Sequence, residues 1–163
     1  MIRHHLSSEP IQQLHAVDPS EQGAGVYKPL GFWYEVDGDW RRWCASGMRG
    51  WLEGKLLYRV DLGSERILSI RNIEEFDAFQ RRFAVQRRPW PYEKEPMWAD
   101  VRDAGYDGVE IAPYLWERRL HRDSFWYYGW DCASGVIWNP KGTKLFSEEL
   151  ILPKEPACLE NNV

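Results

Sequence analysis

The 163-residue chain has little cysteine, no long apolar run and no excess of positive charge. Its three cysteines, Cys44, Cys132 and Cys158, are odd in number and widely spaced, and no C-x-x-C pair offers zinc-ligand spacing. The expectation is free thiols in a reducing compartment and no metal site. No apolar stretch approaches the roughly 20 residues that cross a bilayer. Met1-Ile2-Arg3-His4-His5 is unlike a signal peptide, so a cytoplasmic protein with no membrane partner is expected. A net charge of −4 excludes a global basic field for nucleic acid. Local basic groups remain: Arg81-Arg82, Arg87-Arg88, and Arg118-Arg119 with His121 and Arg122, which read first as solvated ends and loops. Internal repeats and low-complexity segments are missing. A chain of 163 residues that is 44% hydrophobic can bury one core. The expectation is a single domain over residues 1–152 and a frayed polar tail over 153–163.

What the sequence does have is tryptophan: ten of them, against about two at ordinary usage. Indole fills cores, but its N–H needs a partner and its flat face suits a ligand ring. The surrounding pattern reads as short elements. Ile2 to Leu6 is β-prone, and Ser7-Ser8-Glu9-Pro10 signals a helix start before Ile11, Leu14 and Val17. Asp18 to Gly25 is a polar loop. Gly31-Phe32-Trp33-Tyr34 predicts a strand, and Asp37-Gly38-Asp39 a turn and N-cap for a short helix carrying Trp40 and Trp43. Strands are predicted at Leu56 to Leu62 and Arg66 to Ile70. A helix follows, capped by Asn72 with Glu75 three residues on, and faced by Phe76, Phe79 and Phe83. Arg87 to Pro96 reads as a Pro-rich loop, Met97 to Ala104 as a helix stopped by Gly105, and Tyr106 to Ile111 as a strand. Phe125 to Tyr128 and Val136 to Trp138 complete the strands, with Asp131 to Gly135 as the turn between them. Strands outnumber helices without βαβ alternation, which favours α+β.

Four segments stand out chemically. In Arg3-His4-His5-Leu6-Ser7, pleating lets only one of His4 and His5 face a given pocket, and both also read as ordinary strand histidines. In Lys28 to Cys44, Trp33 and Trp43 read either as two walls of a slot for a flat ring or as a strand–helix hydrophobic contact. In Tyr106 to Tyr114, Glu110 stands among apolar residues, where a carboxylate is costly unless it has a partner or a task. It reads equally as an exposed position on an edge strand. In Trp126 to Trp138, Gly129 and Gly135 bracket the most aromatic stretch, and Asp131 and Ser134 suit the turn.

These segments together resemble the ADP-ribosyltransferase superfamily, in its diphtheria-toxin-like and poly-ADP-ribose-polymerase-like branch. His5-Leu6-Ser7 resembles the strand-ending His-Gly-Thr or His-x-Ser motif, with His4 as the competing alignment. Gly31-Phe32-Trp33-Tyr34 followed by Trp43-Cys44 looks like the family's Gly-hydrophobic-Tyr-Phe-Ala and helical Tyr-Cys. Tryptophan stands for both tyrosines, and the glycine of the first motif is missing. The chain also looks similar to uncharacterised bacterial and phage proteins.

The resemblance implies a compact, mainly antiparallel split sheet flanked by short helices. It implies NAD as substrate, no metal, and an acceptor among proteins or nucleic acids. Glu110, His5 and Trp33 become the catalytic candidates; His4, Ser7, Gly31, Tyr34, Trp40 and Trp43 become candidates for holding NAD. The histidine would bond the adenine-side ribose, Trp33 and Trp43 would sandwich nicotinamide, and Glu110 would stabilise the oxocarbenium-like transition state. Three other readings stand beside it. One is an aromatic-lined module that binds a nucleotide or partner without chemistry. Another is a glycoside-cleaving enzyme using two carboxylates among Asp107, Glu110 and Asp131. The last is a partner-blocking protein with an exposed aromatic patch.

Overall fold

Alternation in the short apolar runs makes strands, and seven of them join into one hydrogen-bonded sheet. In the computed structural model, which describes residues 1–22, 27–86 and 94–150, the elements in chain order are β1 Arg3–Ser7, β2 Phe32–Val36, α1 Asp39–Ala45, β3 Leu56–Asp61, β4 Ile67–Ile70, α2 Ile73–Phe83, β5 Ala84–Gln86, β6 Lys94–Pro96, α3 Trp98–Asp103, β7 Gly108–Ile111, α4 Trp116–Arg119, β8 Ser134–Ile137 and β9 Lys144–Glu148. Tight 3₁₀ turns occupy Arg49–Leu52 and Arg122–Trp130. The sheet order is β4-β7-β8-β2-β1-β3-β9, with β5 and β6 as a separate pair. Among the described strands only β4 and β7 run parallel. The class is α+β, with a mixed, mostly antiparallel sheet.

The long predicted helix forms for the reasons its sequence states. The Asn72 side chain accepts from Glu75 N at 2.8 Å, and Glu75 reaches back to Arg71 N at 2.7 Å. Phe76, Phe79 and Phe83 are buried, and Phe76 stacks on Trp126 at 5.4 Å.

Three expectations are corrected. The helix expected after Ser7 does not form. Ile11 N bonds to the Tyr58 hydroxyl and Val17 N to the Trp138 carbonyl, so this backbone is satisfied by neighbouring strands. The strand expected at Phe125 to Tyr128 is a 3₁₀ turn. Trp126 and Tyr127 are adjacent and both fully buried, which the alternating faces of a half-buried strand do not permit. Within the expected loop Arg87 to Pro96, residues 94–96 form β6 against β5. The cap of α1 is Gly38, inside the expected turn Asp37-Gly38-Asp39. Arg87-Arg88 with the rest of 87–93, the end of the Asp18–Gly25 loop, Cys158 and the tail from 153 lie outside the described residues.

Two carboxylates tie the loops at one end of the sheet. Glu65 Oε1 accepts from the main-chain N–H of Lys141, Gly142 and Thr143 at 2.7–2.8 Å and from the Thr143 hydroxyl at 2.7 Å. Asp107 accepts from Arg66 N, Asn139 Nδ2 and Lys141 Nζ at 2.7–2.9 Å.

Candidate functional site

The β1–β2 ladder pairs Arg3 with Val36 and His4 with Glu35, and then opens. Beyond that point His5 Nδ1 donates to the Trp33 carbonyl at 2.6 Å, so a side chain replaces the next main-chain donor. Beside this opening lies a cavity of about 210 Å³, bordered by His4, His5, Leu6, Lys28, Trp33, Tyr34, Glu35, Trp40, Trp130, Cys132 and Ser134. β2 supplies Trp33, the end of the 3₁₀ turn supplies Trp130 edge-on to it at 4.9 Å, and α1 supplies Trp40. The Lys28 ammonium sits 5.3 Å from the Trp33 ring centre, within cation–π range.

Helix α1 is held in place by its first residue. Asp39 Oδ2 accepts from Ala133 N at 2.7 Å, which clamps the helix start to the strand leading into β8. Trp40 and Trp43 then stack at 4.9 Å, with Trp51 behind both. Trp43 therefore buttresses Trp40 and does not border the cavity; the walls facing Trp33 are Trp40 and Trp130.

Glu35 shares the cavity face with Trp33, two residues away on the pleat. It is 4% exposed and doubly tied to Arg41, through Nε to Oε1 and through the main-chain N–H to Oε2 at 2.9 Å. The same guanidinium donates from Nη2 to His4 Nδ1 at 3.0 Å, and His4 Nε2 lies 3.0 Å from Glu148 Oε2. A guanidinium has no acceptor, so Nδ1 must accept, and the ring proton sits on Nε2 and is donated to Glu148. A continuous polar chain thus runs from β2 through α1 and β1 to β9.

Glu110 is elsewhere. The register Trp33–Val136–Val109 alternates with Tyr34–Gly135–Glu110, so Glu110 projects from the face opposite Trp33 and Glu35. It is 3% exposed, gripped by Arg3 Nε at 2.6 Å and Nη2 at 3.1 Å, and it accepts from the Tyr34 hydroxyl at 3.0 Å. Burial, then the Glu110 charge, raises the Tyr34 phenol above its ordinary pKa. Tyr34 borders the cavity but its hydroxyl is committed to Glu110. Ser7 turns its hydroxyl to the Glu9 carbonyl, away from the cavity. Gly31, at φ +151°, lets β2 close on β8: a Cβ there would stand 2.5 Å from the Ile137 carbonyl oxygen. None of Asp107, Glu110 and Asp131 lines the cavity, so no carboxylate pair of that set spans it.

Cys44 and Cys132 are free and buried. Burial, followed by neighbouring carboxylates, pushes their thiols up to about 11 and about 12, which keeps both protonated at neutral pH. Burial likewise lowers the pKa of His5, against the opposing pull of the Trp33 carbonyl.

His4, His5, Trp33, Tyr34 and Trp40, all site candidates from their sequence pattern, are gathered by the fold at one cavity. Glu35, Arg41, Trp130 and Lys28 went unrecognised. Glu35 was visible two residues after Trp33, on the same strand face. Trp130 lies two residues past the expected strand Phe125 to Tyr128, in the aromatic stretch Trp126 to Trp138 where only the turn residues were given a role.

No protein family, no curated protein and no solved structure matches this chain. Among the described residues, no helix is long and apolar enough to cross a membrane, and no three His, Cys, Asp or Glu side chains converge at metal-binding distance.

Proposed function

We propose that the cavity takes the nicotinamide ring of NAD and that the protein transfers ADP-ribose to a macromolecular acceptor. One observation carries this reading: five residues named by the resemblance, from three separate elements, border a single aromatic-walled cavity. Its volume of about 210 Å³ is below the roughly 300–1,000 Å³ of pockets that enclose a drug-sized ligand. That size suits one flat ring, leaving the rest of a dinucleotide along the mouth.

In this reading Trp33 and Trp40 flank the ring, and the carboxylate part belongs to Glu35, because Glu110 projects from the other sheet face. The bond between ribose C1′ and the nicotinamide nitrogen breaks, and its electron pair leaves with nicotinamide. Glu35 stabilises the positive charge that grows at C1′. An acceptor nucleophile then bonds C1′ and releases its proton.

A second reading, ring binding without chemistry, draws on Arg41, which engages both oxygens of Glu35 and offsets its charge. Nicotinamide release from NAD, followed alongside calorimetry with NAD, separates the two. Transfer predicts release by the wild type and by Glu110→Gln, provided the latter folds, and at least tenfold loss in Glu35→Gln. NAD binding without release selects the second reading, and no NAD binding removes the transferase reading and leaves a module for another ring.

A further inference from the structure

Lys28 borders the cavity with an exposed ammonium whose charge no ion pair meets among the described residues. Its side chain spans between Trp33 on β2 and Gly129 on the 3₁₀ turn. The ammonium lies 5.3 Å from the Trp33 ring centre, and Cε stands 3.6 Å from where a Cβ on Gly129 would be. The carboxylates around it are engaged elsewhere. Glu35 gives both oxygens to Arg41. Burial raises the pKa of Asp131 and the charges of Lys28 and Arg119 oppose that rise, but Asp131 pairs with Arg119, at 3.5 Å. The ammonium therefore rests on an indole face.

That face is also one a ring ligand needs, because Trp33 is a wall of the cavity. A ring entering against Trp33 displaces the ammonium, and a pyridinium ring repels it as well. The displacement is cheap: an exposed cation–π contact is worth a factor of about two to five. A hydrogen bond between charged groups is worth a factor of about ten or more. Once displaced, the ammonium stays at the mouth on its flexible stem, a point charge that meets phosphate without a fixed orientation. A phosphate monoester carries roughly 1.5 to 2 negative charges, enough to answer the ammonium and a pyridinium together. A single carboxylate leaves one of the two unmet. Arg41 already offsets Glu35, so the cavity itself supplies no spare negative charge there.

We propose that Lys28 selects the ligand of this cavity: it yields the face of Trp33 to a pyridinium ring and turns to a phosphate carried a ribose away. The substrate class is then a phosphorylated pyridinium nucleoside, an inference that rests on reading the cavity as a ring site. A ring without phosphate evicts the ammonium and recovers nothing, whereas a ring with phosphate regains the loss. Lys28 is a specificity-determining residue and takes no part in bond breaking.

Nicotinamide riboside and nicotinamide mononucleotide differ by that phosphate alone, so calorimetry of each with the full chain tests the exchange. The wild type is expected to bind the mononucleotide about tenfold more tightly or better. Lys28→Ala should act with opposite sign on the two, weakening the mononucleotide about tenfold and strengthening the riboside about two- to fivefold. Added salt should narrow the preference of the wild type and not that of Lys28→Ala. Lys28→Arg, which keeps the charge, should keep the preference. The position is exposed, so circular dichroism should show native folding in both variants. If both ligands bind and Lys28→Ala shifts them in the same direction, or shifts neither, the exchange is overturned while the ring site stands. If neither ligand binds to the wild type or to Lys28→Ala, the ring site falls and the exchange with it.

Discussion

Tyr34 lies with its ring directly over Gly135: a Cβ at that glycine would stand 2.4 Å from both Cζ and the hydroxyl oxygen of the tyrosine. The missing side chain lets the phenol cross β8 to reach Glu110 on β7 at 3.0 Å. Gly135→Ala should therefore destabilise the protein by about 3 kcal/mol through overpacking. Tyr34→Phe should cost about 1–3 kcal/mol by removing one bond to a buried carboxylate. Both are read by urea unfolding. Because the Tyr34 hydroxyl points away from the cavity face, Tyr34→Phe should leave ring binding in the cavity unchanged, a point calorimetry with NAD would check.

Arg41 is the counter-charge of Glu35 and the hydrogen-bond donor to His4. Replacing Arg41 with Met strands a buried carboxylate, and a loss of about 3–5 kcal/mol is expected. The double variant Arg41→Met/Glu35→Gln should recover part of that loss, because the uncompensated charge is then gone. A double-mutant cycle by denaturant unfolding measures the coupling. Additive losses would mean that the pair contributes nothing beyond packing.

The tryptophans of α1 divide their work by position. Trp40 borders the cavity, whereas Trp43 stacks behind it and Trp51 flanks both. Trp40→Ala should weaken ring binding by at least tenfold, since a stacking face is worth about 1–3 kcal/mol. Trp43→Ala should weaken it several-fold by loosening Trp40, and Trp51→Ala least. Fluorescence quenching during NAD titration gives all three affinities. Equal losses at Trp40 and Trp43 would mean that the two stacked indoles act as one unit and not as wall and buttress.

Glu65 provides the pH test. Burial alone would raise its pKa, but the hydrogen bonds from Gly142, Thr143 and Lys141 outweigh burial and carry it from 4.5 to about 2. A depressed carboxylate pKa adds stability that is full above the unfolded value and fades as pH falls through the folded one. Glu65→Gln should therefore lower the melting temperature at neutral pH, by an amount matching about 1 kcal/mol. The gap between variant and wild type should close between pH 4.5 and about 2. A gap that persists at the acid end would assign the loss to geometry and not to charge.

Much of the fold was legible because local rules determine it. Asn72 and Glu75 make a cap wherever the chain puts them, and three phenylalanines on one helical face require a core. The α+β class followed from short alternating runs. The turn at 122–130 was not legible, because aromatic residues favour strands on average, and only contact with Phe76 and Trp98 commits Trp126 and Tyr127 to the interior together.

The sequence by itself determined that a tryptophan-rich stretch, a strand histidine and a carboxylate would coexist in one short chain. Whether Glu110 faces the cavity was decided by register alone. Trp33 pairs through Val136 to Val109, and Tyr34 through Gly135 to Glu110, so one residue of offset sends Glu110 to the opposite face and leaves Glu35 with Trp33. That Glu35 shares a face with Trp33 follows from the pleat of β2 itself, whereas the face of Glu110 is a property of three strands from distant parts of the chain, and no local pattern within any one of them encodes it.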